Sequence, residues 1–277
     1  MKNIKITKNT KFCISIASAP GNFGSLIFNR TFKALSLDFI YKPFRATPDN
    51  LNKAILGVRA LDIRGCGVSL PHKTIVHKYV DAVDPVAKEI GAINTIVNTN
   101  GILTGYNTDV VGVEMALEKY YPIKGKTAHI IGAGGASRAI IVALKRGLCK
   151  EITLSNRDEK KARMISKKFS IKYCPSNVRK EIKADILINA TPVGMTPKDQ
   201  DMIVDKDELK NYHAIMDVVV SPMHTKLIKT AKKAGKITIS GYEMATYQAA
   251  AQFTLYTGIK APLRMMTKYV KDILKEL

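Results

Sequence analysis

At 277 residues the chain exceeds one average domain and is far above the length at which burying a core becomes difficult, which favours two domains. Its composition, 46% hydrophobic with 24% charged residues, is ordinary for a globular protein and excludes a disordered or collagen-like chain. A formal charge of +21 would suit a nucleic-acid or membrane-surface partner, but the lysines run from Lys2 to Lys275 without interleaved aromatics, so the expectation is a Lys-rich solvated surface with neither partner.

In chain order, residues 1–11 are Lys-rich and lack the apolar core of a signal segment. Short apolar runs at 12–17, 39–44, 65–70 and 93–97 then read as strands with helical patterns between them, which predicts βαβ units and a mainly parallel sheet. Residues 108–120 form an apolar-periodic helix candidate with Thr108 or Asn107 as its N-cap, closed by Pro122 and Lys124-Gly125-Lys126. The pattern restarts beyond it, with strands at 127–131, 151–155, 185–189, 214–218 and 237–239. Two helix candidates, 242–256 and 262–277, end the chain. The alternation makes the fold class α/β with two domains, and the first boundary falls in the segment between the two series of strands. No internal repeat or low-complexity segment is visible.

The four cysteines, Cys13, Cys66, Cys149 and Cys174, have neither zinc-ligand nor redox spacing, which suggests a reduced, cytoplasmic chain. No apolar stretch approaches the roughly 18 residues needed to span a bilayer. His72 and His77 lack helical ligand spacing and a supporting cluster, so no metal is expected.

The most specific local signal is Gly132-Ala133-Gly134-Gly135-Ala136-Ser137-Arg138, which follows one strand and opens a helical pattern. Pyrophosphate binding needs glycines for a tight turn and close backbone approach, and a helix N-terminus for its free N–H groups. Ser137 stands at the third glycine position of the usual fingerprint and is small enough for close helix packing. About 20 residues on, where such a site reads the ribose, lie Asn156, Arg157 and Asp158. Arg157 suits a 2′-phosphate and Asp158 a free 2′-hydroxyl; an ordinary βα turn followed by a surface arginine is the plainer alternative.

Two polar clusters fall at strand ends in the first half, Ser69-Leu70-Pro71-His72-Lys73 and Gly105-Tyr106-Asn107-Thr108-Asp109. Ligand sites in open parallel sheets lie at the carboxyl ends of strands. Lys73 can protonate a carbonyl that receives hydride, Asp109 can fix the lysine, and Asn94 can hydrogen-bond hydroxyls. Each also has a structural reading: a surface lysine, a helix N-terminal carboxylate and a turn former.

Together these stretches, with Asn189-Ala190-Thr191-Pro192-Val193-Gly194-Met195 and Gln248-Ala249-Ala250, resemble the shikimate dehydrogenase family from about residue 12 to 258. The resemblance implies two domains flanking a cleft, with residues 1–108, completed by C-terminal helices 240–277, as an α/β substrate and catalytic domain and residues 109–239 as a Rossmann-type dinucleotide-binding domain. It also implies reversible, NADP-dependent reduction of 3-dehydroshikimate, a step on the chorismate route to aromatic amino acids. It implies Lys73 and Asp109 as the catalytic pair, and substrate contacts at Asn22, Ser69, Asn94 and Gln248. It implies cofactor contacts at Gly132, Ala133, Gly134, Gly135, Ala136, Asn156, Arg157, Thr191, Val218 and Gly241, with NADP as cofactor and NAD also possible. The partners would be a small hydroxy acid and at most a second copy of the chain, as monomer or homodimer.

Departures from the family pattern cluster on the substrate side. Asn22 and Gly24 stand at a usual serine pair, Gly67 at an asparagine, Ser69 at a threonine, Val220 at a tyrosine and Glu243 at a glycine. On the cofactor side Asp158 replaces a common threonine and Lys161 an arginine. This pattern resembles the family's divergent, shikimate dehydrogenase-like branch. A lost hydrogen bond to a charged group costs about 1.5 to 3 kcal/mol, so slower turnover of shikimate is expected. The alternative function is a nucleotide-binding regulatory or interaction module with little turnover; the retention of both Lys73 and Asp109 favours the enzyme.

Overall fold

The computed structural model describes residues 6–276; the first five residues of the Lys-rich start lie outside that range. The described chain divides into two compact units. One runs through Thr108 and adds Ala249–Ile273, and the other comprises Asp109–Gln248 and the described residues after Ile273.

The first unit contains β1 (Lys11–Ala17), α1 (Phe23–Ala34), β2 (Phe39–Arg45), α2 (Leu51–Ala60), β3 (Gly65–Val68), β4 (Ala82–Val83), α3 (Pro85–Ile90), β5 (Thr95–Thr99) and β6 (Ile102–Tyr106). Its six strands lie in the order β2-β1-β3-β5-β6-β4. Strands β1, β2 and β3 are parallel, as the alternation predicts, whereas β5 pairs antiparallel with both β3 and β6. The run expected at 93–97 is thus displaced to Thr95–Thr99, and the next strand was not anticipated. Its signal was present: Asn100-Gly101, both at positive φ (52° and 84°), is the two-residue turn that matches strand twist in a tight hairpin.

One face of this sheet buries Ile14, Ile16, Leu51, Ile55, Val58 and Ile96. Aromatic rings of Phe28, Phe32, Tyr41, Phe253 and Tyr256 form a second cluster, with centroids 4.7–5.9 Å apart. Gly65 is obligatory here, because a Cβ would lie 2.2 Å from the Tyr256 ring. Arg64 fixes the returning chain by donating to the carbonyls of Tyr256 (2.9 Å) and Leu255 (3.3 Å), the acceptor-rich end of a helix.

The second unit begins with α4 (Asp109–Tyr120) and β7 (Thr127–Ile131) and continues through α5 (Gly135–Arg146), β8 (Glu151–Ser155), α6 (Glu159–Phe169), β9 (Lys172–Tyr173), β10 (Ile186–Asn189), β11 (Ala214–Asp217), α7 (Lys226–Lys233) and β12 (Ile237–Ile239). Then α8 (Gly241–Thr257) spans both units, followed by α9 (Leu263–Glu276). The sheet order is β12-β11-β10-β7-β8-β9, with every pair parallel. Residues of β10 and β11 are buried along their whole length, which explains why they read as unbroken apolar runs rather than alternating ones. Helix α5 contributes a buried run from Ala139 to Leu144.

His129 of β7 is fully buried, with Nδ1 2.8 Å from the Tyr212 hydroxyl and Nε2 3.0 Å from Ser155 Oγ. Burial, aided by the charge of Arg179, pushes its pKa down from 6.5 to about 3. The unfolded chain therefore takes up this proton first, and the stability contribution present above pH 6.5 is lost progressively as pH falls towards 3. Between pH 7 and pH 5 the loss should be about 2 kcal/mol. Denaturant titrations at both pH values should show this difference in wild type and a much smaller one in His129→Gln; equal differences would remove His129 as the cause.

Candidate active site

The loop after β3 is held by its backbone. Ser69 N donates to Ile16 O (3.0 Å), Ser18 N to Leu70 O (3.1 Å) and His72 N to Ser69 O (2.9 Å), a turn that ends the strand at Val68 rather than at 70. Buried His72 places Nε2 2.8 Å from Ala46 O. Lys73 follows, half-buried, and its carbonyl accepts from Ile93 N at 2.8 Å. Ser69 and Asn22 are exposed, and Asn22, the residue before α1, uses its carbonyl, not its side chain, to accept from Ser25 Oγ (2.9 Å).

Asn94 is the junction of this region. It is 3% exposed, and its Oδ1 accepts from Thr108 N (2.8 Å) and Thr95 Oγ1 (2.7 Å). Its carbonyl accepts from Val68 N (2.7 Å) and from Gln252 Nε2 (3.3 Å), which also donates to Thr95 Oγ1 (2.8 Å). The sequence reading singled out Gln248 on this helix and passed over Gln252, one turn further on. Asp109, next after Thr108, opens α4 and is buried. Gly112 lets α4 approach α8 closely, since a Cβ there would lie 2.6 Å from Met244 O. The first turn of α8 is closed by Glu243, whose Oε2 accepts from Ser240 N (3.1 Å), so this departure from the family glycine serves as half of a capping box.

In the second unit, Gly132 adopts φ +119°, and a Cβ would meet Ala190 O at 2.7 Å; Gly134 faces open space. Ser137 does more than allow close packing. Its hydroxyl accepts from Gly134 N (2.9 Å) and donates to Gly132 O (2.6 Å), locking the loop at the start of α5. A backbone cradle that needs glycine at 132, opening on a twelve-residue helix, fits a dinucleotide pyrophosphate. At the end of β8, Asp158 caps α6 by accepting from Lys161 N (3.0 Å), while Asn156 Nδ2 donates to Asp158 O (3.0 Å). Arg157 between them is exposed, with no hydrogen bond or ion pair among the described residues.

Thr191 lies after β10, where its backbone N (3.0 Å) and hydroxyl (2.7 Å) both donate to Asn189 Oδ1. Gly241 is buried against the loop after β11, since a Cβ would come within 2.2 Å of Val219 O and 2.6 Å of Val218 C. Among the described residues no group of three or more His, Cys, Asp or Glu could hold a metal ion. No helix among them is long and apolar enough to cross a membrane.

Comparison with known proteins gives three domain families in succession. The shikimate dehydrogenase substrate binding domain matches residues 23–96, shikimate / quinate 5-dehydrogenase residues 114–221, and the shikimate 5'-dehydrogenase C-terminal domain residues 241–271. A shikimate dehydrogenase (NADP(+)) of Methanobrevibacter smithii is 39% identical over 263 residues, covering 91% of this chain and 93% of that one. The chain belongs to the shikimate dehydrogenase family. Within this family a shikimate dehydrogenase-like protein of Haemophilus influenzae is 37% identical over 254 residues, with 91% and 92% of the two chains covered. A shikimate 5-dehydrogenase of Listeria monocytogenes, solved in complex with shikimate and NAD, superposes with a TM-score of 0.85 at 34% identity over 98% of both chains. Family membership makes the protein an α/β oxidoreductase with a substrate-binding domain and a Rossmann-type dinucleotide domain.

Proposed function

We propose that this chain catalyses the reversible NADP-dependent reduction of 3-dehydroshikimate to shikimate, or of a closely related cyclic hydroxy acid, with Lys73 and Asp109 as its catalytic pair. The observation that supports this most is the tying of the Lys73 carbonyl to Ile93 N and of Thr108 N to Asn94 Oδ1. The lysine loop and the residue leading into Asp109 are thereby anchored on consecutive positions, 93 and 94. Bound NADPH supplies a hydride to the carbonyl carbon. As that carbon is reduced, the Lys73 ammonium gives a proton to the carbonyl oxygen, converting C=O to CH–OH, and in the reverse direction the neutral amine takes it back. Asp109 is the carboxylate of the pair, and Ser69, Asn94, Gln248 and Asn22 contribute hydrogen bonds to the acid. On the cofactor side, Gly132, Ala133, Gly134, Gly135 and Ala136 hold the pyrophosphate, Asn156 and Arg157 the 2′-phosphate end, and Thr191, Val218 and Gly241 the nicotinamide side.

A panel of shikimate, quinate, aminoshikimate and other hydroxy acids, each with NADP and NAD and followed by nicotinamide absorbance, tests this reading. Turnover of shikimate or a cyclic analogue with NADP is expected. Dinucleotide binding without turnover of any acid would replace the reading by that of a binding module. Four free cysteines, two of them fully buried, suit a reducing cytoplasm, and the protein is expected to work there as a monomer or homodimer.

The first loop makes its own prediction. A Cβ at Gly24 would lie 3.3 Å from the Tyr41 ring and hydroxyl, so a small side chain fits if the ring yields by a few tenths of an ångström. The double variant Asn22→Ser, Gly24→Ser adds hydroxyl donors for a carboxylate. Partial recovery of a charge-assisted bond should lower KM for shikimate by roughly 3- to 10-fold. An unchanged or higher KM would mean that the loop serves a different acid.

A further inference from the structure

Three neighbouring strands of the second unit end at one level, for Ile131 of β7, Asn189 of β10 and Asp217 of β11 are register partners. Each is followed at once by a loop. Asp217 is fully buried there, and a buried carboxylate is costly unless hydrogen-bond donors converge on it. Three donors do so. Oδ1 accepts from Asn189 Nδ2 and Val219 N, both at 3.0 Å, and Oδ2 accepts from Thr225 Oγ1 at 2.7 Å. Burial pushes the carboxyl up to about 6, so it remains mostly ionised at neutral pH.

The contacts continue outward from Asp217 into both loops. Asn189, oriented by Asp217, accepts from Thr191 N and Oγ1 and donates to Val193 O (3.1 Å), which closes the loop after β10. That loop is the one whose Ala190 carbonyl and Thr191 methyl abut Gly132. On the other side, Val219 N and Thr225, the N-cap of α7, close the loop after β11, against which Gly241 is pressed.

We infer that Asp217 is a positioning residue for the dinucleotide, one carboxylate that holds the loops after β10 and β11 where Thr191 and Val218 meet the cofactor. The inference rests on the proposed assignment of these loops to the cofactor. Asparagine at 217 keeps one acceptor oxygen and turns an amide N–H₂ toward Thr225, whose hydroxyl can adapt by accepting. Alanine leaves Asn189 Nδ2, Val219 N and Thr225 Oγ1 without their shared acceptor.

Calorimetric titration of wild type, Asp217→Asn, Asp217→Ala and Thr225→Val with NADP and with NAD tests the role, alongside kcat and KM for the acid. Asp217→Ala should raise both dinucleotide Kd values by the same factor, roughly tenfold, and the two milder variants by about threefold. KM for the acid should stay unchanged. A purely structural carboxylate would lower the unfolding midpoint and leave the Kd values of the folded variants untouched. Unchanged Kd values in Asp217→Asn and Thr225→Val with native near-UV circular dichroism would overturn the inference, as would a loss confined to NADP. Those two variants carry the decision if Asp217→Ala does not fold. Should wild type bind neither dinucleotide, the cofactor reading fails and this inference with it.

Discussion

Lys73→Ala should lower kcat by at least about 100-fold, since a positioned general acid contributes roughly 100- to 10,000-fold. Stability should change little. The loop that carries Lys73 is held by backbone contacts and by His72 Nε2 on Ala46 O, which the substitution leaves in place. Lys73→Arg is the sharper control: a guanidinium keeps the positive charge but does not release its proton near neutral pH. If the charge alone mattered, arginine would restore the rate; if proton transfer matters, both variants stay slow. Steady-state kinetics with the best acid of the panel and NADP, on protein of unchanged unfolding midpoint, measures this. Intact turnover in Lys73→Ala would end the assignment.

The second large effect concerns cofactor choice, where Arg157 and Asp158 favour opposite ribose substituents. Asp158 accepts from Lys161 N as the N-cap of α6, so its carboxylate already has a structural task. Arg157 is exposed, without an ion-pair partner among the described residues, and a guanidinium fork can grip a phosphate through two charge-assisted bonds. Arg157→Ala should therefore weaken NADP by about 1.5 to 3 kcal/mol, roughly 10- to 150-fold in Kd, and NAD far less. The contrast with Asp217 is diagnostic, because a positioning residue should act on both dinucleotides equally. Calorimetry with the two cofactors separates them, and an equal loss for NAD and NADP in Arg157→Ala would refute 2′-phosphate recognition.

What sequence alone determined are the features written in neighbouring residues. The apolar runs of β7, β8, β10 and β11, the glycine loop between a strand and a helix, and the helix start at Asn107-Thr108 all follow from local periodicity, φ requirements and end-capping, which act over a few positions. The hairpin at Asn100-Gly101 belonged to the same class and was legible, though it was passed over. Only the tertiary structure decided which polar residues share partners. Gln252 meets Thr95 across 157 positions, and Asp217 meets Asn189 across 28. Such pairs carry no period and no spacing rule, because strand register and helix packing bring them together after the chain has folded. Ser137 shows both levels: its place in the fingerprint marks a small residue, but only the folded loop gives its hydroxyl two partners, at Gly132 and Gly134.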